Sequence, residues 1–126
     1  MARRKSPTLT EAELRLMAVL WSRTDATVSD VVEALGSPPL AYNTVLTTLR
    51  ILETKGYVRH REAGRAFVYA ACVGRDEART SVIDYVVSRF FDNSPRELML
   101  KLLDGQVDER DAEHIRALLD ARTEKP

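Results

Sequence analysis

Residues 41 to 60, AYNTVLTTLRILETKGYVRH, decide the fold, because this one stretch carries two faces of different character. At about 100° per residue, Val45, Leu49 and Leu52 share one narrow sector and must face a core. Opposite them lie Asn43, Thr47, Arg50 and Thr54, with Thr44 and Ile51 on one flank and Leu46 on the other. A face that only meets water normally shows Glu and Lys, since threonine loses side-chain freedom on a helix and gains nothing there in return. Threonine, asparagine and arginine are instead short or forked hydrogen-bonding groups suited to base edges and phosphates, and a threonine methyl also suits thymine. The competing reading is a helix that merely happens to be threonine-rich.

The neighbouring residues weigh between the two. Leu40-Ala41-Tyr42 supplies no Ser, Thr, Asp or Asn at the expected N-cap, so the first backbone N–H groups lack a side-chain acceptor that a phosphate could replace. Tyr42 can add its hydroxyl to the same anion. After Gly56 as the helix stop, two short strands are expected, Tyr57 to Arg61 and Ala66 to Ala71, joined through Gly64. Arg59, His60, Arg61 and Arg65 then form a basic wing able to grip a DNA backbone, against the plainer reading of a solvated turn. His60 by itself reads as an exposed histidine.

Upstream, Thr10 with Glu13 forms a capping box for a first helix, with Leu9 and Leu14 as a hydrophobic staple and Leu14, Met17, Ala18 and Trp21 along one face. Thr27 and Asp30 repeat the cap logic for a short second helix, with Val31, Val32 and Leu35 inside, Gly36 as the stop and SPPL as the turn. Three helices followed by a hairpin is the order of a winged helix-turn-helix.

Composition agrees. A chain of 126 residues with 44% hydrophobic and 30% charged residues is an ordinary globular protein of one or two small domains. No apolar run approaches the ~18 residues of a membrane span, and the start MARRKSPTLTEAEL has no apolar core of a secretory signal, so a cytoplasmic location is expected. The single cysteine, Cys72, rules out an internal disulfide and a cysteine-rich metal site, and its setting in YAACV predicts a small buried residue without a role. The net charge of zero hides a split: residues 1–70 hold ten basic against seven acidic side chains, and the remainder nine against twelve. One half is suited to an anionic partner and the other is not.

From Gly74 on, three helical patterns follow: Ala78, Ile83, Val86, Val87, Phe90 and Phe91; then Leu98, Met99, Leu102 and Leu103 after Asn93-Ser94-Pro95; then Ala112, Ile115, Leu118 and Leu119. Roughly fifty residues with so many large apolar groups cannot bury them alone, since domains of about 60 residues are already marginal. The expected cover is a second copy through Ile83, Val87, Phe90, Phe91, Leu98, Leu102, Ile115, Leu118 and Leu119, because a two-fold dimer sets two reading helices on a pseudo-palindromic site. Packing against the first block of the same chain is the alternative. An enzyme is not expected. Asp111, Glu113 and His114 in DERDAEHIRALLD suggest a metal site at first sight, but adjacent helical residues point about 100° apart, and acids at a helix start are favoured by its dipole. No nucleophile-base set or glycine-rich phosphate loop is present, and no cofactor is implied.

LTEAELRLMAVLWSR, AYNTVLTTLRILETKGYV and GRAFVYAACVGRDEAR, followed by a helix ending RFF, resemble in matching order the BlaI/MecI family of bacterial repressors, from Leu9 to about Arg122. The resemblance implies a mainly α protein, a winged helix-turn-helix DNA-binding domain over residues 1–73 followed by a helical dimerisation domain over 74–126. It implies a homodimeric repressor of antibiotic-response genes or, in the CopY branch, of copper-homeostasis genes, with double-stranded operator DNA as partner and no membrane. By position, Tyr42, Asn43, Thr44, Thr47 and Arg50 inherit DNA contacts, and the wing adds Arg61 and Arg65. Three departures stand out. Ile51 occupies the place of a family arginine, with Arg50 one residue earlier. The paired Cys-x-Cys tail of the copper branch is absent. The antibiotic branch implies a sensor protease, or a protease downstream of it, that cuts the dimer helices; the matching bond falls at Lys101-Leu102 in LMLKLLDG, without the Asn-Phe pair of the best-known members. The function expected is a repressor released by an inducing signal, the alternative a winged-helix module that binds protein without reading DNA sequence.

Overall fold

In a computed structural model the described residues are 8–123, so Arg3, Arg4 and Lys5 of the basic count lie outside them. The elements run α1 (Glu11–Trp21), β1 (Ala26–Thr27), α2 (Val28–Leu35), α3 (Tyr42–Lys55), β2 (Val58–Ala63), β3 (Ala66–Ala71), α4 (Arg75–Phe90), α5 (Pro95–Gly105) and α6 (Glu109–Thr123). The fold is mainly α, a winged helix-turn-helix followed by helices, and it divides into two compact units between Tyr85 and Val86.

Local chemistry accounts for the first three helices. Thr10 accepts the Glu13 N–H at 3.1 Å while Glu13 Oε1 accepts the Thr10 N–H at 2.8 Å, and Thr27 and Asp30 repeat the pair at 3.1 and 3.0 Å. Both boxes satisfy donors that a helix start leaves without partners. Gly36 closes α2 at φ 69° and Gly56 closes α3 at φ 91°, a left-handed geometry costly to any residue with a Cβ. Arg15 of α1 reaches across to donate to Leu35 O at 3.3 Å and Pro38 O at 2.7 Å, so the turn between α2 and α3 is held from outside itself.

Leu16, Met17 and Leu20 of α1, Val31 of α2, Val45, Leu49 and Leu52 of α3, and Tyr57 and Tyr69 fill the core. Burying each large side chain stabilises by about 1.5–3 kcal/mol, which holds α3 by its inner face. The expected α1 face needs correction. Of the four residues, Met17 is in the core and Trp21 packs against it half-buried, while Leu14, 45% exposed, lines with Ala18 and Trp21 an apolar groove of about 660 Å³ opposite Ala78, Val82 and Ile83 of α4. Helix α1 is apolar on two sides, and the more continuous stripe is not the one the core takes.

The sheet holds a strand the sequence reading missed. Its order is β1-β3-β2, all antiparallel, and β1 is the two-residue lead into α2, pairing Ala26 with Tyr69 and Thr27 with Val68. Two residues carry no alternation to detect. Strands β2 and β3 pair from Val58↔Ala71 to Ala63↔Ala66 around Gly64-Arg65, with Gly64 at φ 63° as the first central residue of a tight turn. Tyr57 begins no strand; it is wholly buried, and its carbonyl accepts from Cys72 N–H at 2.9 Å. Cys72 itself is exposed rather than buried, with its thiol 3.3 Å from Gly56 O, because the end of β3 turns it away from the core that takes Val73.

In the second unit, Asp92 and Asn93 adopt left-handed φ values of 51° and 62°, which Asp and Asn tolerate better than most residues. Ser94 then caps α5 through the Glu97 N–H at 3.2 Å, and Asp108 caps α6 through the Asp111 N–H at 2.8 Å. Helices α5 and α6 bury no residue completely, and Phe90 is 73% exposed.

Candidate nucleic-acid interface

Helix α3 separates its two faces as the wheel requires. Val45, Thr48, Leu49 and Leu52 are buried, with Thr48 turning its hydroxyl back to Thr44 O at 2.7 Å, while Tyr42, Asn43, Thr44, Thr47, Arg50 and Thr54 are exposed. The five predicted contact residues of α3 therefore lie on one accessible surface. Ile51 is exposed on its flank at 44%, so the position where the family pattern has arginine is accessible but apolar. Ala41 occupies the N-cap and makes no side-chain cap bond, and the first turn holds no acid. The N–H groups there meet an exposed surface with the positive end of the helix dipole behind them, a setting suited to an anion.

The wing is built differently from a free basic loop. Arg59, Arg61 and Arg65 are exposed, yet Arg61 Nη2 lies 2.8 Å from Asp25 Oδ2 at the foot of β1. His60 is exposed, as read from the sequence, but it has partners. Its Nδ1 lies 2.8 Å from both carboxylate oxygens of Glu53 on α3, and its ring sits 4.7 Å from Phe67 and 5.5 Å from Tyr69. Wing and α3 are thus joined by a hydrogen-bonded pair.

Behind Arg50 stands Tyr69 of β3, 1% exposed. Burial pushes its hydroxyl above the ordinary value of 10.0, the Glu53 carboxylate adds to this, and the Arg50 guanidinium opposes it. Glu53 and Tyr69 escaped the sequence reading, although a signal existed. A two-residue turn at Gly64-Arg65 sets Ala63 against Ala66, and counting outward brings His60 opposite Tyr69.

The far end of α3 is also tied down. Lys55 Nζ donates to Glu13 Oε1 at 2.8 Å, so the acid of the α1 capping box serves a second partner forty-two positions away. The dimerisation residues predicted from sequence lie mostly on open surfaces: Ile83, Phe90, Leu102, Leu118 and Leu119 are exposed, Phe91, Leu98 and Ile115 half-buried, and Val87 buried. Lys101 and Leu102 are exposed and lie within the α5 helix. No helix among the described residues is long and apolar enough to cross a membrane.

Comparison with known proteins gives consistent matches. A family model described as penicillinase repressor matches residues 9–121. The transcriptional regulator BlaI of Mycobacterium tuberculosis is 34% identical over 113 residues, covering 88% of this chain and 82% of that protein. The penicillinase repressor of Bacillus licheniformis is 26% identical over 103 residues, covering 81% and 80%. Among solved structures, the DNA binding domain of the repressor BlaI is 29% identical with a TM-score of 0.53, covering 60% of this chain and 93% of that one. The complex structure of hsRosR-S4, 18% identical, covers 91% of this chain with a TM-score of 0.53 and is alike in fold.

Proposed function

Because the chain belongs to the penicillinase repressor family, whose members are DNA-binding transcriptional repressors and not enzymes, we propose that it occupies a pseudo-palindromic operator as a homodimer. The observation that carries this reading is the α3 face of Tyr42, Asn43, Thr44, Thr47 and Arg50, exposed on a helix whose opposite face packs on the core and whose N-terminus lacks a side-chain cap. In this reading Asn43 and Arg50 contact base edges, Thr44 and Thr47 support them, Tyr42 and the first N–H groups of α3 hold a phosphate, and Arg61 and Arg65 grip backbone.

Residues 1–73 then carry DNA binding and 74–126 dimerisation. The exposed apolar side chains of α5 and α6, none of them fully buried in the single chain, support a second copy as their cover. Release follows from a signal that acts on the dimer helices. Proteolysis at Lys101-Leu102 is one form of it, and since α5 is helical there, cleavage requires that helix to open first.

The test is selection of bound duplexes from a random pool by the purified full chain at two salt concentrations. Enrichment of a pseudo-palindrome with fixed half-site spacing supports the repressor reading. No enrichment, with retention that vanishes in modest salt, replaces it with a winged helix that binds protein.

A further inference from the structure

Helices α1 and α4 leave the apolar groove of about 660 Å³ between them, and every residue lining it belongs to the first compact unit. A volume of this size lies within the roughly 300–1,000 Å³ of small-molecule sites, which are mostly apolar with a few placed polar groups. Leu14, Ala18 and Trp21 form one wall and Ala78, Val82 and Ile83 the other, while Arg75 and Arg79 of α4 supply its charge. Trp21 is held by its indole N–H, which donates to Val73 O at 2.9 Å, and the Arg75 guanidinium carbon stands 5.4 Å from the centroid of its ring. Stacking of this kind fixes the plane of a guanidinium and leaves its N–H edge open to a carboxylate. Arg79 follows one helical turn along the same face of α4, a spacing at which two like charges oppose each other. No acidic side chain among the described residues forms an ion pair with either arginine.

We propose that this groove binds an apolar monocarboxylate, with its body between the two walls and its carboxylate on Arg75 and Arg79. Charge selects this occupant. A neutral apolar group leaves the two cations uncompensated, whereas a carboxylate accepts hydrogen bonds from both and relieves their repulsion. Ile83 is shared with the face expected to meet a second copy, which makes a second copy the competing occupant. The inference goes beyond operator binding and does not depend on it. It adds a small-molecule site to the unit that carries α3, built from side chains that the DNA-contact reading leaves unused.

In the experiment the full-length chain is titrated with phenylbutyrate, with its neutral amide, and with acetate, which has the charge and no apolar body. Trp21 is the only tryptophan of the chain, so its fluorescence reports on the groove directly. The expected result is a saturable change with phenylbutyrate, a weaker response to the amide, and none to acetate over the same concentrations. Arg79→Gln should weaken phenylbutyrate binding about two- to fivefold, the range of one exposed ion pair, and leave the amide unchanged. Ala18→Phe, at an exposed position of α1, fills the groove and should abolish the response to both probes. The thermal midpoint of each variant and its mass by light scattering are recorded alongside. Should Ala18→Phe lower the midpoint markedly, the exposed Arg79→Gln carries the test alone. Equal binding of acid and amide, no effect of Arg79→Gln, or a response that never saturates would overturn the inference. So would a dimer that phenylbutyrate or Ala18→Phe splits into monomers, an outcome that gives the groove to a second copy instead.

Discussion

Replacing Glu13 by alanine tests how α3 is anchored. Its carboxylate, 5% exposed, accepts from the Thr10 N–H and from Lys55 Nζ, both at 2.8 Å. Alanine removes half of the capping box, about 0.5–1 kcal/mol, and a hydrogen bond between charged groups, about 1.5–3 kcal/mol. The larger penalty of about 3–5 kcal/mol for stranding a buried charge does not apply, since the Lys55 side chain is 27% exposed and can turn to water. The expected loss is therefore about 2–4 kcal/mol, read from urea unfolding at fixed protein concentration with an unchanged slope. Glu13→Gln keeps an acceptor for Thr10 and should lose about half as much. Acid sharpens the test. Burial raises the Glu13 carboxyl, but the Lys55 and Thr10 hydrogen bonds together outweigh it and leave it below the ordinary 4.5. The unfolded chain then takes up the proton first as pH falls, so this contribution is complete above about pH 4.5 and is lost as pH drops through the lower folded value. The glutamine variant should lack that part of the acid loss. Strictly additive effects of Glu13→Ala and Lys55→Met, where about 1–2 kcal/mol of coupling is expected, would refute the clasp.

Other perturbations separate the parts of the interface. Arg50→Ala should cost about 1–3 kcal/mol on the operator and relax one base position, as a competition assay with single-position variants would show. Arg65→Ala should lower the salt slope of binding by about one on every duplex, and an unchanged slope would remove the wing from the interface. Asp25→Ala, which releases Arg61 from its ion pair, should raise affinity for unrelated duplexes at low salt; no change would mean that Arg61 already leaves Asp25 when DNA arrives. Phe90→Asp should give monomers by light scattering that hold the operator poorly, and an intact dimer would exclude Phe90 from the interface.

The three helices and the hairpin were legible because each is specified locally. Capping boxes at Thr10 and Thr27, helix stops at Gly36 and Gly56 and the two-faced α3 all lie within a few neighbouring residues. What escaped was set by distant partners. Strand β1 exists because β3 offers it an edge, and Arg15 is fixed by carbonyls twenty and twenty-three positions away. Lys55, a base in the last turn of α3, meets Glu13 only because the fold brings α1 to it. The α1 face went wrong for a related reason: two apolar stripes were present, and only the packing of α2 and α3 decided that Leu16 and Leu20 turn inward while Leu14 and Ala18 line a groove. His60 is exposed as read but gains Glu53 as a partner that no local signal showed, while Cys72, expected to be buried, is turned outward where β3 ends.

The division of α3 into a gripped face and an open one has an evolutionary consequence. The residues that hold the helix, Val45, Leu49 and Leu52, and those that face outward, Asn43, Thr44, Thr47 and Arg50, share no member. Outer positions can therefore drift through many side chains while the fold beneath them loses little stability. On the proposed DNA-reading role of this face, a lineage carrying this scaffold can explore new target sequences by point mutation without passing through unfolded intermediates, and a designer can randomise the same four positions on an otherwise fixed chain.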